Sequence, residues 1–227
     1  MRVILIAETV VNFAGLEKMG YKLPPETWSD GCYDADQLAE AAGRLCYESF
    51  DRPNPATASN VGYLGNIISQ QHFSVLEHSS VTFYIDGVSR SLTHELVRHR
   101  HLSYSQVSQR YVDESKSRVI IPPVINSDYL DTVVAQQMAF AHQAYTKIYD
   151  TLRGAGVDKK AARGAARSVL PNATETKIVV TGNHRAWRDM LGKRLSPGAD
   201  QEIRELAQEI LRQLKEVAPN TYQDIGG

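Results

Sequence analysis

The sequence predicts an α+β fold in which helices mix with a mostly antiparallel sheet inside a single domain, residues 1–227. Helical and strand periods follow each other without the regular alternation of a doubly wound parallel sheet. In HSSVTFYIDGVS, the apolar residues Val81, Phe83 and Ile85 alternate with polar ones, as is typical of a half-buried strand. No internal repeat, low-complexity tract or clear linker divides the chain, so we expect one domain.

The first half of the chain is predicted to hold two strands and three helices. Residues 2–13 are rich in β-forming residues and predict the first strand, which the loop YKLPPETWSDGC follows. Apolar residues at helical spacing predict a helix over residues 34–48, with Asp34 as its N-cap. After the loop DRPNPATAS, a helix is predicted from Ser59 to Gln71. The strand with Val81 comes next, and SRSLTHELVRHR is a short helix after it.

The second half is predicted to alternate strands and longer helices. VIIPPV reads as a strand stopped by its prolines, and Ser127 caps a helix from Asp128 to about Leu152. The apolar stripe of that helix is predicted to include Val133, Met138, Ala141, Tyr145 and Ile148. A helix over residues 158–169, the strand TETKIVVTG, a helix over 183–191 and an amphipathic helix over 200–217 complete the chain.

Composition restricts the function classes. Lys and Arg number 25 against 26 Asp and Glu, a net charge of −1, which argues against general binding to nucleic acid or to a membrane surface. The two cysteines, Cys32 and Cys46, form neither a CxxC pair nor a zinc spacing, as expected of a reduced intracellular protein. Without a signal-peptide pattern or a run of about 18 apolar residues, we expect a cytoplasmic protein.

The stretch RHRHLSYSQVSQRY concentrates hydrogen-bond donors between Arg98 and Tyr111. Arginine suits phosphate because its planar guanidinium forms paired, charge-assisted bonds. If the stretch continues as a strand, Gln106, Ser108 and Arg110 share one face and could bind a base, a sugar and a phosphate. The sequence therefore favours a nucleotide ligand here, and the alternative is a solvated, charged surface loop.

Two further polar clusters and one weak metal motif accompany this stretch. QHFSVLEHSS holds His72 and Ser74, although it could be a capped helix end that only packs. Arg167 and the segment Asn183–Arg194 place polar groups around a strand-to-helix turn, where an anion binds well, although a solvated helix face is the alternative. In HELVRH the two histidines are five residues apart, about 140° around a helix, so we predict no metal site.

These three blocks resemble the flavin-dependent thymidylate synthases. RHRHLSYSQVSQRY fits their signature RHRxxSxxxxSxR, and QHFSVLEHSS and ARSVLPNATETKIVVTGNHRAWRDMLGKR match in order and spacing. The resemblance covers nearly the whole chain and implies the fold of that family. In the segment SYSQ-x-SQRY the chain is similar to actinobacterial members. Two positions depart from the pattern: Asp189 stands where relatives carry Asn or His, and Gly198 where many carry His.

The resemblance assigns roles to individual residues. It implies that FAD is contacted by His72, Ser74, Arg98, His99, Arg100, Gln106, Asn183, His184, Arg185 and, at the departing position, Asp189. It implies that dUMP is bound by Glu95, Arg98, Gln106, Ser108, Gln109, Arg110, Arg167 and Arg194. Arg194 is the implied catalytic residue, because it matches the arginine that favours ionisation at N3 of the uracil. Ser108 is expected to bind dUMP rather than to act as a nucleophile, since no general base is obvious beside it.

The implied reaction is the reductive methylation of dUMP to dTMP. 5,10-Methylenetetrahydrofolate would donate the carbon, and NADPH would supply reducing equivalents through FAD. Neither cysteine lies in any of the three blocks, which fits activation of the uracil without a thiol nucleophile. The resemblance also implies a homotetramer with composite active sites. A nucleotide-binding module without catalysis and an RNA-binding protein are the alternatives; a net charge of −1 weakens the second.

Overall fold

The computed structural model describes residues 1–22, 33–51 and 54–226. Most of the predicted loop YKLPPETWSDGC, including Cys32, and two residues of DRPNPATAS lie outside them. The helices are α1 Phe13–Lys18, α2 Asp34–Leu45, α3 Asn60–Ser69, α4 Arg90–Leu96, α5 Asp128–Gly154, α6 Lys159–Ala166, α7 His184–Arg194 and α8 Gln201–Val217. The strands are β1 Arg2–Glu8, β2 Ser80–Ser89, β3 Ser103–Gln106 and β4 Glu175–Asn183. Short 3₁₀ turns occur at Phe73–Glu77, Arg167–Val169 and Asn220–Tyr222, among others.

The four strands form one antiparallel sheet in the order β1-β2-β4-β3. Ser80 of β2 pairs with Asn183 of β4, and Ser89 pairs with Glu175 at the other end of the ladder. Sheet and helices together confirm the predicted α+β class. No helix in the described ranges 1–22, 33–51 and 54–226 is long and apolar enough to cross a membrane.

The main core fills the space between one face of the sheet and the helices α4, α7 and α8. Val81, Phe83 and Ile85 are buried on this face, as their alternation predicts, and the ring of Phe83 meets Trp187 edge-on at 5.2 Å. Gly182 leaves room for Leu102, in the turn before β3, and for Trp187 of α7 to pack against β4, because a Cβ there would lie 2.2 Å from Leu102 Cδ2 and 3.3 Å from Trp187 Nε1. β4 ends at Asn183 and passes directly into α7, the helix that carries Arg194.

A buried polar network attaches the C-terminal segment to the rest of the fold. The Asp36 carboxylate of α2 accepts hydrogen bonds from the backbone N–H of Asn220, the N–H of Thr221 and the Thr221 hydroxyl, at 2.6–3.0 Å. One residue further on, the hydroxyl of fully buried Tyr222 lies 2.8 Å from Nδ1 of His184. These contacts join α2 to the start of α7, and we call them the C-terminal latch.

Several predicted boundaries are wrong. The first strand ends at Glu8 rather than at residue 13, because Asn12 caps the unpredicted helix α1. Asp34 is not the N-cap of α2, since Tyr33 holds that position and the Asp34 carboxylate accepts the Val11 N–H. VIIPPV contributes one isolated bridge, Val119 to Thr174, rather than a strand.

The long helix α5 has two apolar faces rather than one. Met138 and Tyr145 are buried, as predicted, whereas Val133 lies on the opposite side. Tyr129, Leu130 and Phe140 share that exposed side, where Phe140 is 62% exposed. A 27-residue helix therefore presents an apolar stripe outside the core of this chain.

Candidate functional site

The guanidinium of Arg194 is held by three contacts at the end of α4. Its Nη1 donates to Oε2 of Glu95 at 2.5 Å, its Nη2 to the Glu95 carbonyl at 3.1 Å, and its Nε to Nε2 of His99 at 2.9 Å. The structure thus brings together three residues that the sequence predicted for the site, although Arg194 is 95 positions from His99 and 99 from Glu95 along the chain. Three of the five N–H groups of Arg194 are engaged, and two remain for a ligand.

His99 occupies the buried centre of this arrangement. Its ring is 6% exposed, and the hydroxyl of Tyr104 lies 2.7–2.8 Å from the carbonyl oxygens of Leu96 and His99, which fixes the turn after α4. Burial lowers the pKa of His99, and the positive charge of Arg194 lowers it further. His99 is therefore neutral near neutral pH, as an acceptor for an arginine N–H must be.

A cavity of about 420 Å³ opens at the first turn of α7. It is lined by Glu77, His101, Asn183, Arg185, Ala186 and Asp189. Asn183 caps the helix by accepting the Ala186 N–H at 2.8 Å, and Arg185 forms an ion pair with Glu77. Three residues predicted to contact FAD therefore share one wall beside a helix N-terminus, where the backbone dipole favours anions.

A second cavity, of about 380 Å³, meets the first at Arg185. His72 and Ser74, both exposed, line it together with the aromatic residues Tyr47, Tyr63 and Phe73. Cys46 also lines it, so this cysteine lies beside His72 and Ser74 in space although it is outside all three blocks in sequence. The local sequence around Cys46, directly after α2, does not predict this contact, because it depends on the packing of α2 against the Phe73–Glu77 turn.

The structure places His184 differently from the other residues predicted for FAD. Its side chain is 1% exposed and bonded to Tyr222 within the latch. Burial lowers its pKa to about 4, so it stays neutral across the physiological range. Only a conformational change would bring this ring to a ligand, and its contact with FAD stays a prediction.

The predicted face of Gln106, Ser108 and Arg110 does not exist as a strand, because β3 ends at Gln106. The Gln106 amide donates to the hydroxyls of Thr93 and Thr176, and the chain then turns at Ser108. Gln109 is 7% exposed, and its buried Nε2 has no hydrogen-bond partner among the residues that the structure describes. Such a group is costly unless a ligand or another chain satisfies it.

Arg90 is a candidate that the sequence reading missed. Its Nη2 donates to the Val107 carbonyl at 2.9 Å, and its Nη2 lies 4.0 Å from the buried carboxylate of Glu114. Burial lowers the pKa of Arg90 and raises that of Glu114, and the nearby Arg167 also lowers the pKa of Arg90. The only sequence signal was an arginine at the start of α4, before the block RHRHLSYSQVSQRY.

Four predicted arginines remain exposed and lack ion pairs within the described parts of the chain: Arg98, Arg100, Arg110 and Arg167. Arg110 lies along Gly164 of α6, close to the turn that holds Arg167. Unpaired guanidinium groups in these positions are available to phosphate.

Candidate residues lie at both ends of β4. Asn183 and Arg185 follow its last residue, whereas Arg90 bonds to the Thr174 carbonyl just before its first. Nine extended residues span about 26 Å. Reacting groups must approach within about 3–3.5 Å, so the two ends of one chain do not by themselves enclose one small reacting centre.

Comparison with known proteins decides the family. The model of the thymidylate synthase complementing protein family matches residues 30–220. The chain belongs to this family. The flavin-dependent thymidylate synthase of Mycobacterium avium (strain 104) is 50% identical over 218 residues, covering 92% of this chain and 87% of the relative. The probable flavin-dependent thymidylate synthase of Mycobacterium phage D29 is 51% identical over 234 residues, covering 99% and 96%.

The resemblance to flavin-dependent thymidylate synthases is therefore confirmed, including its similarity to mycobacterial members. The Mycolicibacterium vanbaalenii relative is also 51% identical over 92% of the chain. The family membership covers all three blocks from which the site residues were predicted. The assignment of individual residues to FAD or dUMP stays a prediction.

Proposed function

We propose that this chain catalyses the reductive methylation of dUMP to dTMP. The observation that carries the proposal is the Arg194 guanidinium, fixed by Glu95 and His99 of the family signature with two N–H groups left over. A cation held in this way can stabilise negative charge on an amide-like ring such as uracil. Its membership of the family supplies the reaction class.

The residues present fit a flavin nucleotide. The cavity at Arg185 and Asn183 lies at a helix N-terminus, and the exposed Arg98 and Arg100 add unpaired positive charge for a diphosphate. The adjoining cavity adds aromatic surface with His72 and Ser74. When bound, FAD would supply the hydride, with NADPH as its reductant and 5,10-methylenetetrahydrofolate as the source of the carbon.

The chain's own residues bind and polarise dUMP. Arg194 favours loss of the N3 proton by stabilising the resulting anion, which makes the uracil ring more nucleophilic at carbon. Arg110 and Arg167 suit the phosphate. The buried Nε2 of Gln109, which has no partner within the part of the chain that the structure describes, suits a carbonyl of the nucleotide. Ser108 has no general base within the described hydrogen bonds, so its role here is binding.

The site is completed by other copies of the chain, in a homotetramer with composite active sites. Two observations support this: the candidate residues Arg90 and Asn183 lie at opposite ends of β4, about 26 Å apart, and α5 exposes the apolar stripe of Tyr129, Leu130, Val133 and Phe140. The chain acts as one domain, residues 1–227, in the cytoplasm. No nucleic acid, membrane or metal takes part in this proposal.

The first experiment is an absorbance spectrum of the purified protein, followed by NADPH oxidation with and without dUMP and assay of dTMP. A flavin band, oxidation stimulated by dUMP, and dTMP formed only with methylenetetrahydrofolate are expected. A protein that binds dUMP but takes up no added FAD would instead be a nucleotide-binding module without catalysis. A salt-sensitive shift of RNA with no dUMP binding would favour an RNA-binding protein.

A further inference from the structure

The carboxylate of Asp189 lies against the ring of His99 on the side away from Arg194. Nδ1 of His99 is 3.7 Å from Oδ2 of Asp189, while Nε2 of the same ring receives the Arg194 N–H at 2.9 Å. On its solvent side, the Asp189 carboxylate forms an ion pair with Lys193, whose Nζ lies 2.7 Å from Oδ1. The result is a row of four groups on α7 and the turn after α4: Lys193, Asp189, His99 and Arg194.

The hydrogen bond from Arg194 shows which nitrogen of His99 carries the proton. A guanidinium has only donors, so a ring nitrogen that receives its Nε–H carries no proton. The neutral ring must then be protonated at Nδ1, which faces Asp189. The opposite tautomer would set an N–H against an N–H and release Arg194, and the 6% exposed ring has little room to turn away.

We propose that Asp189 is a positioning residue for Arg194: its carboxylate selects the Nδ1-protonated form of His99, and this form holds the guanidinium in place. The inference rests on the proposed function for its kinetic consequences, but the tautomer itself is independent of catalysis. It also gives a physical role to a residue that departs from the sequence pattern of the family. Since Asp189 lines the cavity predicted for FAD, a ligand there would sit beside the same carboxylate.

The charges around His99 predict how pH acts on this arrangement. Protonation of His99 at Nε2 would remove the acceptor and place a second cation beside Arg194. Burial, Arg194 and Lys193 lower the pKa of His99, whereas Asp189 raises it. Glu95 contacts Arg194 and acts on the His99 ring through that arginine. Activity should therefore fall on the acid side as His99 gains its second proton.

Three variants separate positioning from a merely structural role. Asp189→Leu removes the carboxylate but keeps the branch at Cγ, Asp189→Asn keeps a carbonyl oxygen on the Nδ1 side of the ring, and Lys193→Met removes only the partner of Asp189 on its solvent side. Asp189 is 41% exposed at its side chain, so each variant is expected to fold. The holoenzyme is used throughout, with folding checked by circular dichroism.

The first readout is the ¹⁵N spectrum of histidine-labelled protein without dUMP. Wild type, Asp189→Asn and Lys193→Met should show His99 protonated at Nδ1, whereas Asp189→Leu should show a mixture of tautomers. The second is turnover, which should fall about tenfold or more in Asp189→Leu and remain largely in Asp189→Asn. The third is the acid limb of the pH profile, which should move to lower pH in Asp189→Asn and to higher pH in Lys193→Met.

The positioning role would be overturned if the His99 tautomer were unchanged in Asp189→Leu. It would also be overturned if the acid limb of the pH profile of turnover lay at the same pH in the wild type and in all three variants. Wild-type protein that forms no dTMP would instead overturn the proposed function, and the tautomer measurement would still be decisive for Asp189.

Discussion

Arg194 lies at the meeting point of α4, α7 and the turn that carries His99. Replacement by lysine would keep the charge but remove the planar set of donors that engages Glu95 and His99 together. We predict that Arg194→Lys lowers the rate of dTMP formation by about 10²–10³-fold, with folding intact. Arg212→Lys, an exposed arginine paired on α8, is the matched control and should be neutral. Turnover of Arg194→Lys near the wild-type rate would show that charge alone suffices.

Cys46 lines the same cavity as His72 and Ser74, so its thiol is close enough to the predicted cofactor site for a role in the reaction to be tested. If the uracil is activated by polarisation, no thiolate has to attack it, and Cys46→Ala should retain most of the turnover. The measurement is dTMP formation together with the flavin spectrum. A variant that keeps its flavin but loses turnover would indicate a thiol in the chemistry.

Individual residues of the site could be predicted, but their partners could not. The donor-rich stretch identified Arg98, His99 and Arg110, since these residue types at this density are unusual in a chain of net charge −1. The contact between Arg194 and Glu95 joins positions 99 apart, and only the packing of α7 on α4 creates it. Gln109 Nε2, which has no hydrogen-bond partner among the described residues, depends in the same way on burial, which local sequence does not determine.

At the scale of secondary structure, the C-terminal latch predicts opposing effects of pH on stability. His184 is buried with its pKa lowered to about 4, so the unfolded chain binds the extra proton between about pH 4 and its ordinary value of 6.5. That contribution makes the protein more stable as pH rises. Burial raises the pKa of Asp36 from 3.8 to about 6, despite its three hydrogen bonds, so the folded chain binds the extra proton there. That contribution makes the protein less stable as pH rises.

The two contributions largely cancel in the wild type between about pH 4 and 6. Relative to it, Asp36→Asn should make the free energy of unfolding rise more steeply with pH, by up to about 1.4 kcal/mol per unit. His184→Gln should change the slope in the opposite direction. Urea unfolding at several pH values measures both. Equal slopes in all three proteins would mean that neither group titrates as its burial implies.

Elements with strong local signals were predictable, and those fixed by distant contacts were not. The alternation in β2 and the apolar faces of α3 and α8, begun by the caps Ser59 and Asp200, agree with the structure. VIIPPV has strand-forming residues but finds only one bridge, to Thr174, and β3 stops at Gln106. Helix α1 is six residues long, too short to give a clear period.

For the molecule as a whole, the exposed stripe on α5 is the surface on which we expect other copies of the chain. Phe140→Glu places a charge in the middle of it and should convert the proposed tetramer to smaller species, with loss of dTMP formation. Light scattering after size exclusion measures the mass. Val10→Glu, at an 81% exposed position outside α5, is the control and should leave the assembly intact. A tetramer unchanged by Phe140→Glu would exclude this stripe as the interface.

Composite sites make a second prediction at this scale. Arg194→Ala and Arg167→Ala should each be inactive as pure proteins. If one site takes these residues from different chains, mixed tetramers formed by refolding both variants together should recover part of the activity. If the mixtures stay inactive although mass spectrometry shows mixed tetramers, both arginines of each active site must come from the same chain.

The strand order β1-β2-β4-β3 has a consequence for how the chain folds. Among the residues that the structure describes, the first strand, Arg2–Glu8, pairs only with residues 81–86, and the central ladder joins residues 80–89 to residues 175–183. Ladder contacts between segments so far apart in sequence slow folding, because long loops must close before any pairing stabilises them. During synthesis, β2 can pair with β1 early, but its other edge stays unpaired until the last quarter of the chain, which carries β4, has emerged from the ribosome.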